Sequence, residues 1–285
     1  MNYDANEQLD WLGQALSQDV FTHGQAFARQ NTPRDAVDPG APPEGQPSPD
    51  SVTPARIEIR SDPAREQRKG VPEVIFGETK ETSQVLAMAH SLLEGSGRAI
   101  ASRVRPETLL ALRQEFQGYT LRVREAAHAL VIYQPGYVPV HTGGRVGVLS
   151  AGTSDIPVAE EAALIAEEMG CQVTCIYDVG VAGLHRLLEP LGELLSSGVD
   201  VVIVAAGMDG ALPSVVAGLV PVPVIGLPTS VGYGMGGKGV AALLSMLQTC
   251  APGLSVVNID NGIGAGSTAA LIANRVAWAA RDRAH

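Results

Sequence analysis

Val146-Gly-Val-Leu-Ser-Ala151 runs directly into Gly152-Thr-Ser-Asp-Ile-Pro157 and then into the alanine- and glutamate-rich stretch from Val158 to Met169. An apolar run of β-type residues, a small polar turn and apolar residues at helical spacing read together as strand, loop and helix. In an open parallel sheet such a loop lies outside the carboxyl ends of the strands, where ligands bind. Ser154 or Asp155 suits the cap of the helix, Pro157 suits its first turn, and the unpaired N–H groups there favour a phosphate or carboxylate. Capping accounts for one polar residue. A row of small or polar residues from Gly152 to Asp155 points to a binding loop.

Outward from that stretch the alternation is regular. Strands fit Val146 to Ala151, Gln172 to Val179, Asp200 to Ala206, Val222 to Leu227 and Ser255 to Ile259. Helices fit Val158 to Met169, Leu184 to Leu195, Leu212 to Leu219, Gly239 to Gln248 and Ser267 to Arg281. Near-continuous valine and isoleucine, as in Val201-Val-Ile-Val204, is what a sheet covered on both faces requires. The expected fold class is α/β: residues 143–285 form a three-layer, doubly wound parallel sheet. Ahead of it, residues 55–136 read as a small α/β N-terminal domain. It holds an alternating stretch Arg56-Ile-Glu-Ile-Arg60, the segment Gly70 to Lys80, a helix over Thr82 to Leu93 and a strand at Ile100 to Ser102. Residues 33–54 are a proline-rich, disordered linker in composition, and residues 1–32 hold one short helical segment around Leu9, Leu12 and Leu16.

Composition excludes several function classes. The chain has 285 residues, is 45% hydrophobic and carries a formal charge of −10, which argues against a nucleic-acid backbone as partner. No window approaches the roughly 20 apolar residues of a membrane span. Met1 to Asp10 reads as neither signal nor transit peptide, and three cysteines are too few for a disulfide framework. A cytoplasmic setting is expected. Cys171 and Cys175 are read as part of an interior strand, and Cys250 as lying in a loop at a strand entrance.

Every strand of the regular half ends in small residues: Gly152 and Thr153; Asp178, Gly180 and Gly183; Gly207, Met208, Asp209 and Gly210; Thr229, Gly232, Tyr233, Gly234 and Lys238; Asp260, Asn261 and the glycines up to Gly266. Glycine at one such end is turn chemistry, but at all five it implies close approach of backbone to a ligand. Gly232 to Gly239 nearly spells a phosphate loop with Lys238, yet Gly239 stands where the metal-binding Ser or Thr belongs. Histidine is scarce in residues 143–285, with His185 and His285 alone, so a histidine-rich metal site or a Ser-His-Asp relay is not expected. Proton chemistry falls to Asp155, Asp178, Asp209, Asp260 or Lys238.

Five stretches in this order carry a resemblance: Gly70 to Lys80, Ser150 to Glu161, Tyr177 to Arg186, Ala205 to Pro213 and Cys250 to Gly262. They resemble the LarB family, which makes the pyridinium-3,5-biscarboxylic acid mononucleotide precursor of the nickel-pincer cofactor. The second half is more distantly similar to the PurE phosphoribosylaminoimidazole carboxylases, with their flavodoxin-like fold. Ser154 and Asp155 match one PurE motif and His185 with Arg186 another, while Ala211 stands where the PurE histidine before Leu-Pro would be.

The LarB resemblance implies carboxylation of nicotinic acid adenine dinucleotide by CO2 or bicarbonate, followed by cleavage of its phosphoanhydride to release AMP. It gives Cys250 the role of a thiolate that adds to the ring and makes it electron-rich enough to attack carbon dioxide. Asp155 or Asp209 is then the candidate base, with Ser154 beside it. Arg186 or Lys238 and the amides around Thr153, Gly207 and Gly232 to Gly237 are the candidate holders of carboxylate and phosphates. A divalent cation such as magnesium would suit the pyrophosphate, no prosthetic group is called for, and the PurE likeness implies a closed homo-oligomer of up to eight copies. Two rival readings are a PurE-type carboxylase or mutase and a nucleotide-binding regulatory module.

Overall fold

The computed structural model describes residues 61–283. The helix expected within residues 1–32, the linker 33–54 and the stretch Arg56 to Arg60 lie outside them. The described residues belong to one compact unit that begins at Ile57 and contains two sheets.

In chain order the first part holds α1 (Arg65–Lys69), β1 (Val74–Phe76), α2 (Thr82–Ser96), β2 (Arg98–Ser102), α3 (Pro106–Glu115), β3 (Thr120–Arg124) and β4 (Ala129–Tyr133). Helix α2 starts where Gln84 accepts the N–H of Glu81 at 3.0 Å and stops at Gly97, whose φ of 77° needs glycine. The strands lie in the order β1-β2-β4-β3, with β1 parallel to β2 and the other pairs antiparallel. Val85, Leu92, Leu112 and Phe116 of the helical layer cover Ala99, Ala101, Leu130 and Ile132. The alternate residues of the same strands, Ile100, Val131 and Tyr133, point the other way and join the core of the second domain.

That domain holds β5 (Arg145–Ser150), α4 (Ile156–Glu168), β6 (Gln172–Ile176), α5 (His185–Ser196), β7 (Val201–Ala206), α6 (Leu212–Ala217), β8 (Val224–Pro228), α7 (Val240–Leu247), β9 (Leu254–Val256) and α8 (Gly262–Asp282). All five strands are parallel, in the order β6-β5-β7-β8-β9. Every residue of β7 is buried. Val201, Ile203 and Ala205 enter the layer of α4 and α8, while Val202, Val204 and Ala206 enter that of α5, α6 and α7. This is the expected three-layer, flavodoxin-like architecture, and its strand order reverses between β5 and β7. Among the described residues no helix is long and apolar enough to cross a membrane.

Three expectations need correction. β6 is an edge strand rather than an interior one, and Cys171 precedes it instead of lying in it. Helix α8 begins at Gly262, before the Ser267 suggested by its apolar spacing, because its glycines meet the backbone of α4. A Cβ on Gly262 would lie 2.7 Å from the Val158 carbonyl oxygen, and one on Gly266 only 2.3 Å from that of Ala162. Those glycines serve helix packing, not the rim. Residues 106–133, which periodicity left without assignment, form α3, β3 and β4, because β3 turns charged side chains toward α4. Arg98 Nη1 meets Glu168 at 2.9 Å, Arg124 Nη1 meets Glu160 at 2.6 Å, Arg103 Nε meets Glu161 at 3.2 Å, and Arg122 pairs with Glu167.

Gly266 gives a test of the packing. Glycine to alanine inside a helix normally stabilises by up to ~1 kcal/mol. At Gly266→Ala the added methyl collides with α4, so denaturant unfolding should show a loss on the order of 1–3 kcal/mol. A variant as stable as the wild type would contradict the backbone contact.

Candidate active site

The carboxyl ends of β5, β7 and β8 meet beside the point where the strand order reverses, and Asp155 lies among them. It closes a single 3-10 turn, Thr153–Asp155, and stands at the N-cap of α4, yet its side chain does not cap that helix. Its Oδ2 accepts the N–H of Gly152 at 2.9 Å, and its Oδ1 accepts the hydroxyl of Thr229 at 2.6 Å. Asp155 is 4% exposed and Thr229 0%. The capping expectation is replaced by a tie between the loops that follow β5 and β8. Burial pushes the Asp155 carboxyl above the ordinary carboxylate range, hydrogen bonds from Thr229, Gly152 and Gly207 pull it back, and the nearby Asp260 charge adds a smaller upward push. Raised proton affinity in a buried carboxyl suits a general acid or base.

The loop after β7 closes the same cluster. A Cβ on Gly207 would lie 2.3 Å from the Val231 carbonyl oxygen and 2.6 Å from Thr229 Oγ1, so only glycine fits. Met208 donates its N–H to Val231 at 2.7 Å, and Asp260 donates to Pro228 at 2.8 Å while its Oδ1 accepts the N–H of Ser230 at 2.7 Å. Asp178, Met208, Lys238 and Asp260 hold φ values of 59°, 54°, 59° and 55°. Side chains rarely adopt that left-handed backbone, and such positions gather at functional sites. Around this buried centre Thr153, Ser154, Asp209, Gly232, Tyr233, Gly234 and Lys238 are exposed at the mouth.

A second group lies after β6. Arg186 Nη1 donates to the Asp178 carboxylate at 2.8 Å and to its carbonyl at 2.7 Å, while His185 opens α5 on the surface. Gly180 backs onto the Ala151 carbonyl, which a Cβ would approach to 2.7 Å. Ser150, fully buried and not among the expected site residues, accepts the N–H of Asp178 at 3.2 Å and joins this group to β5. Arg103 was also missed: it bonds Glu161 on α4 and the carbonyl of Asp260. Only its distant place in the chain hid it, since no local pattern marks such a contact.

Two expected residues stand apart. Asn261 is a helix cap, its Oδ1 accepting the N–H of Gly264 at 2.9 Å. Cys250 is an exposed free thiol between α7 and β9, just ahead of Gly253, whose carbonyl accepts the N–H of Val224 at 3.0 Å. Val224 opens β8, whereas Thr229 follows its far end. Cys250 therefore lies beyond the amino ends of the strands, separated from the Asp155 cluster by the length of β8, roughly 16 Å at the usual rise per residue. A chain does not bring its own Cys250 to its own Asp155. Among the described residues no three His, Cys, Asp or Glu side chains converge as metal ligands.

Comparison with known proteins gives two family matches along the chain. Residues 57–134 match the LarB/PurE-like N-terminal domain, and residues 145–284 match AIR carboxylase. An uncharacterized protein of Methanocaldococcus jannaschii is 44% identical over 218 residues, covering 75% of this chain and 84% of that one. The N5-carboxyaminoimidazole ribonucleotide mutase of Pyrococcus abyssi is 35% identical over 133 residues, 45% of this chain and 71% of that one, and the Thermotoga maritima mutase 33% over 135 residues, 45% and 74%. An N-terminal domain of the one kind followed by a carboxylase domain of the other, joined through a shared core, makes the chain a member of the LarB family.

Proposed function

We propose that this protein carboxylates the pyridinium ring of nicotinic acid adenine dinucleotide and hydrolyses its phosphoanhydride, releasing pyridinium-3,5-biscarboxylic acid mononucleotide and AMP. The observation that carries the reading is a rim built around a buried carboxyl of raised proton affinity, with Ala211 at the N-cap of α6 in place of an imidazole. A purine-type transfer loses its histidine there, while ring carboxylation needs only a base that removes one proton.

The steps balance. A thiolate adds to the pyridinium and leaves a neutral dihydropyridine, whose electron-rich ring carbon attacks carbon dioxide to form a C–C bond. Asp155 takes the proton from that carbon, the ring electrons return, and the C–S bond breaks to restore the pyridinium and the thiolate. Water then cleaves the phosphoanhydride. Arg186, held by Asp178, and Lys238 at the mouth supply positive charge for the carboxylate and phosphates. A magnesium ion would rest mainly on the substrate's phosphates with one or two rim carboxylates, such as Asp209 or Asp260, as is usual for that ion.

Because Cys250 lies at the wrong end of its own sheet, the thiol in this reading comes from another copy of the chain in a homo-oligomer. Asp155→Asn should keep dinucleotide binding and lose at least a hundredfold in turnover, within the usual contribution of a general base. Unchanged turnover would remove Asp155 from the mechanism. Cys250→Ala should be equally inactive alone. Co-expressing the two inactive variants should restore activity at roughly one site in four of the mixed assemblies, because a copy with intact Asp155 then meets a copy with an intact thiol. Mixed assemblies as inactive as the separate variants would contradict a thiol shared between copies.

A further inference from the structure

Arg103 stands in the turn after β2 of the small domain with a φ of 52°, a backbone that a residue other than glycine keeps only where its surroundings fix it. Two neighbours do so. Val104 donates its N–H to the His128 carbonyl at 2.7 Å, and a Cβ on Gly77 would lie 3.2 Å from the Arg103 carbonyl oxygen. The guanidinium turns inward, where its Nε and Nη2 meet the two carboxylate oxygens of Glu161 at 3.2 and 3.3 Å. Nη1 stands 3.6 Å from Glu78, and the guanidinium carbon lies 5.1 Å from the centre of the Phe76 ring. Nη2 donates as well to the backbone carbonyl of Asp260. An arginine engaged on every nitrogen has no donor to spare for a substrate anion, so what it holds in place decides its role.

Arg98, Arg122 and Arg124, the other arginines that join the small domain to α4, end on the glutamates of that helix or on Glu66. Of the four, Arg103 alone continues to a strand-end loop. Asp260, in the loop after β9, donates its N–H to the Pro228 carbonyl at 2.8 Å and accepts the N–H of Ser230 on its Oδ1 at 2.7 Å. It therefore pins both flanks of Thr229, whose hydroxyl meets Asp155 at 2.6 Å. Hydrogen bonds weaken steeply when bent, so a shift of this loop passes directly to the Asp155 carboxylate. Resting on the functional reading above, which makes Asp155 the base, we propose that Arg103 is a positioning residue for the reaction: by holding the Asp260 carbonyl it fixes the loop from Pro228 to Ser230, and through Thr229 the carboxylate of Asp155. The small domain then sets the geometry of the base without touching substrate. Loss of such a residue lowers turnover and leaves substrate affinity as it was.

Arg103→Lys and Arg122→Gln, each in the full chain, test this side by side. Lysine keeps a cation beside Glu161, but its single nitrogen cannot serve both Glu161 oxygens and the Asp260 carbonyl. Arg103→Lys should lower kcat about tenfold or more and change KM less than about twofold, the pattern of a misplaced catalytic group. Arg122→Gln removes an interdomain pair without a rim contact and should leave both constants unchanged. Combined with Thr229→Val, Arg103→Lys should add nothing to the loss that Thr229→Val causes alone, since both act through one bond. Arg103→Gln gives the same reading should the lysine variant not fold. Hydrogen exchange reads the linkage without turnover: the amides of Ser230 and Asp260 should lose protection in Arg103→Lys and keep it in Arg122→Gln. Wild-type kcat in Arg103→Lys, an effect confined to KM, or losses that add in the double variant would overturn the proposal. Failure of the functional reading shows separately, as dinucleotide left uncarboxylated by a wild type whose Ser230 protection still depends on Arg103.

Discussion

Burial of the acidic face of α4 is the constraint on which the rest of the structure depends. Glu161 and Glu168 are 3% and 7% exposed, and a carboxylate removed from water must find cations and donors or remain costly. The small domain supplies them: Arg98 and the Tyr133 hydroxyl for Glu168, Ser102 and Arg103 for Glu161. Removing one partner from such a pair costs on the order of 3–5 kcal/mol, so the two domains hold each other by a charge requirement as well as by a shared apolar core. The opposite face of α4 is alanine, pressed backbone to backbone against α8. A helix fixed on these faces also fixes its N-cap residue, Asp155.

That rigidity bears on the chemistry. Asp155 is buried between Gly152 and Thr229, while residues on the four loops after β6, β7, β8 and β9 hold left-handed backbone. Proton transfer benefits from a base whose geometry is set before substrate arrives, because no reorganisation then accompanies the reaction. The mouth around Tyr233 and Met235 is open, so the remaining selectivity has to come from what docks there.

Much of this was legible in the sequence, and the failures have physical causes. Continuous Val201-Val-Ile-Val204 and the turn Gly152 to Asp155 mark a covered strand and its loop, since few other environments want those residues in that order. The glycines from Gly262 to Gly266 misled because glycine permits close approach of any backbone, and here it was a helix rather than a ligand. Asp155 reads in the sequence both as a helix cap and as a candidate base, and only the capping part fails; its partner Thr229 is 74 positions away and no local pattern encodes that distance. Cys250 was correctly placed at a strand entrance. Its consequence, the opposite end of the sheet from the rim, follows only once β9 is known to run parallel to β8. The arginines of β3 defeat the period of a half-buried strand because the surface they meet is acidic.

Mass spectrometry of the products formed from nicotinic acid adenine dinucleotide and carbon-13 bicarbonate tests the central claim most directly. The account requires AMP together with a pyridinium mononucleotide carrying one additional carboxyl group that bears the heavy carbon. Dinucleotide recovered intact and unlabelled, while an aminoimidazole ribonucleotide supplied in its place is carboxylated, would contradict it.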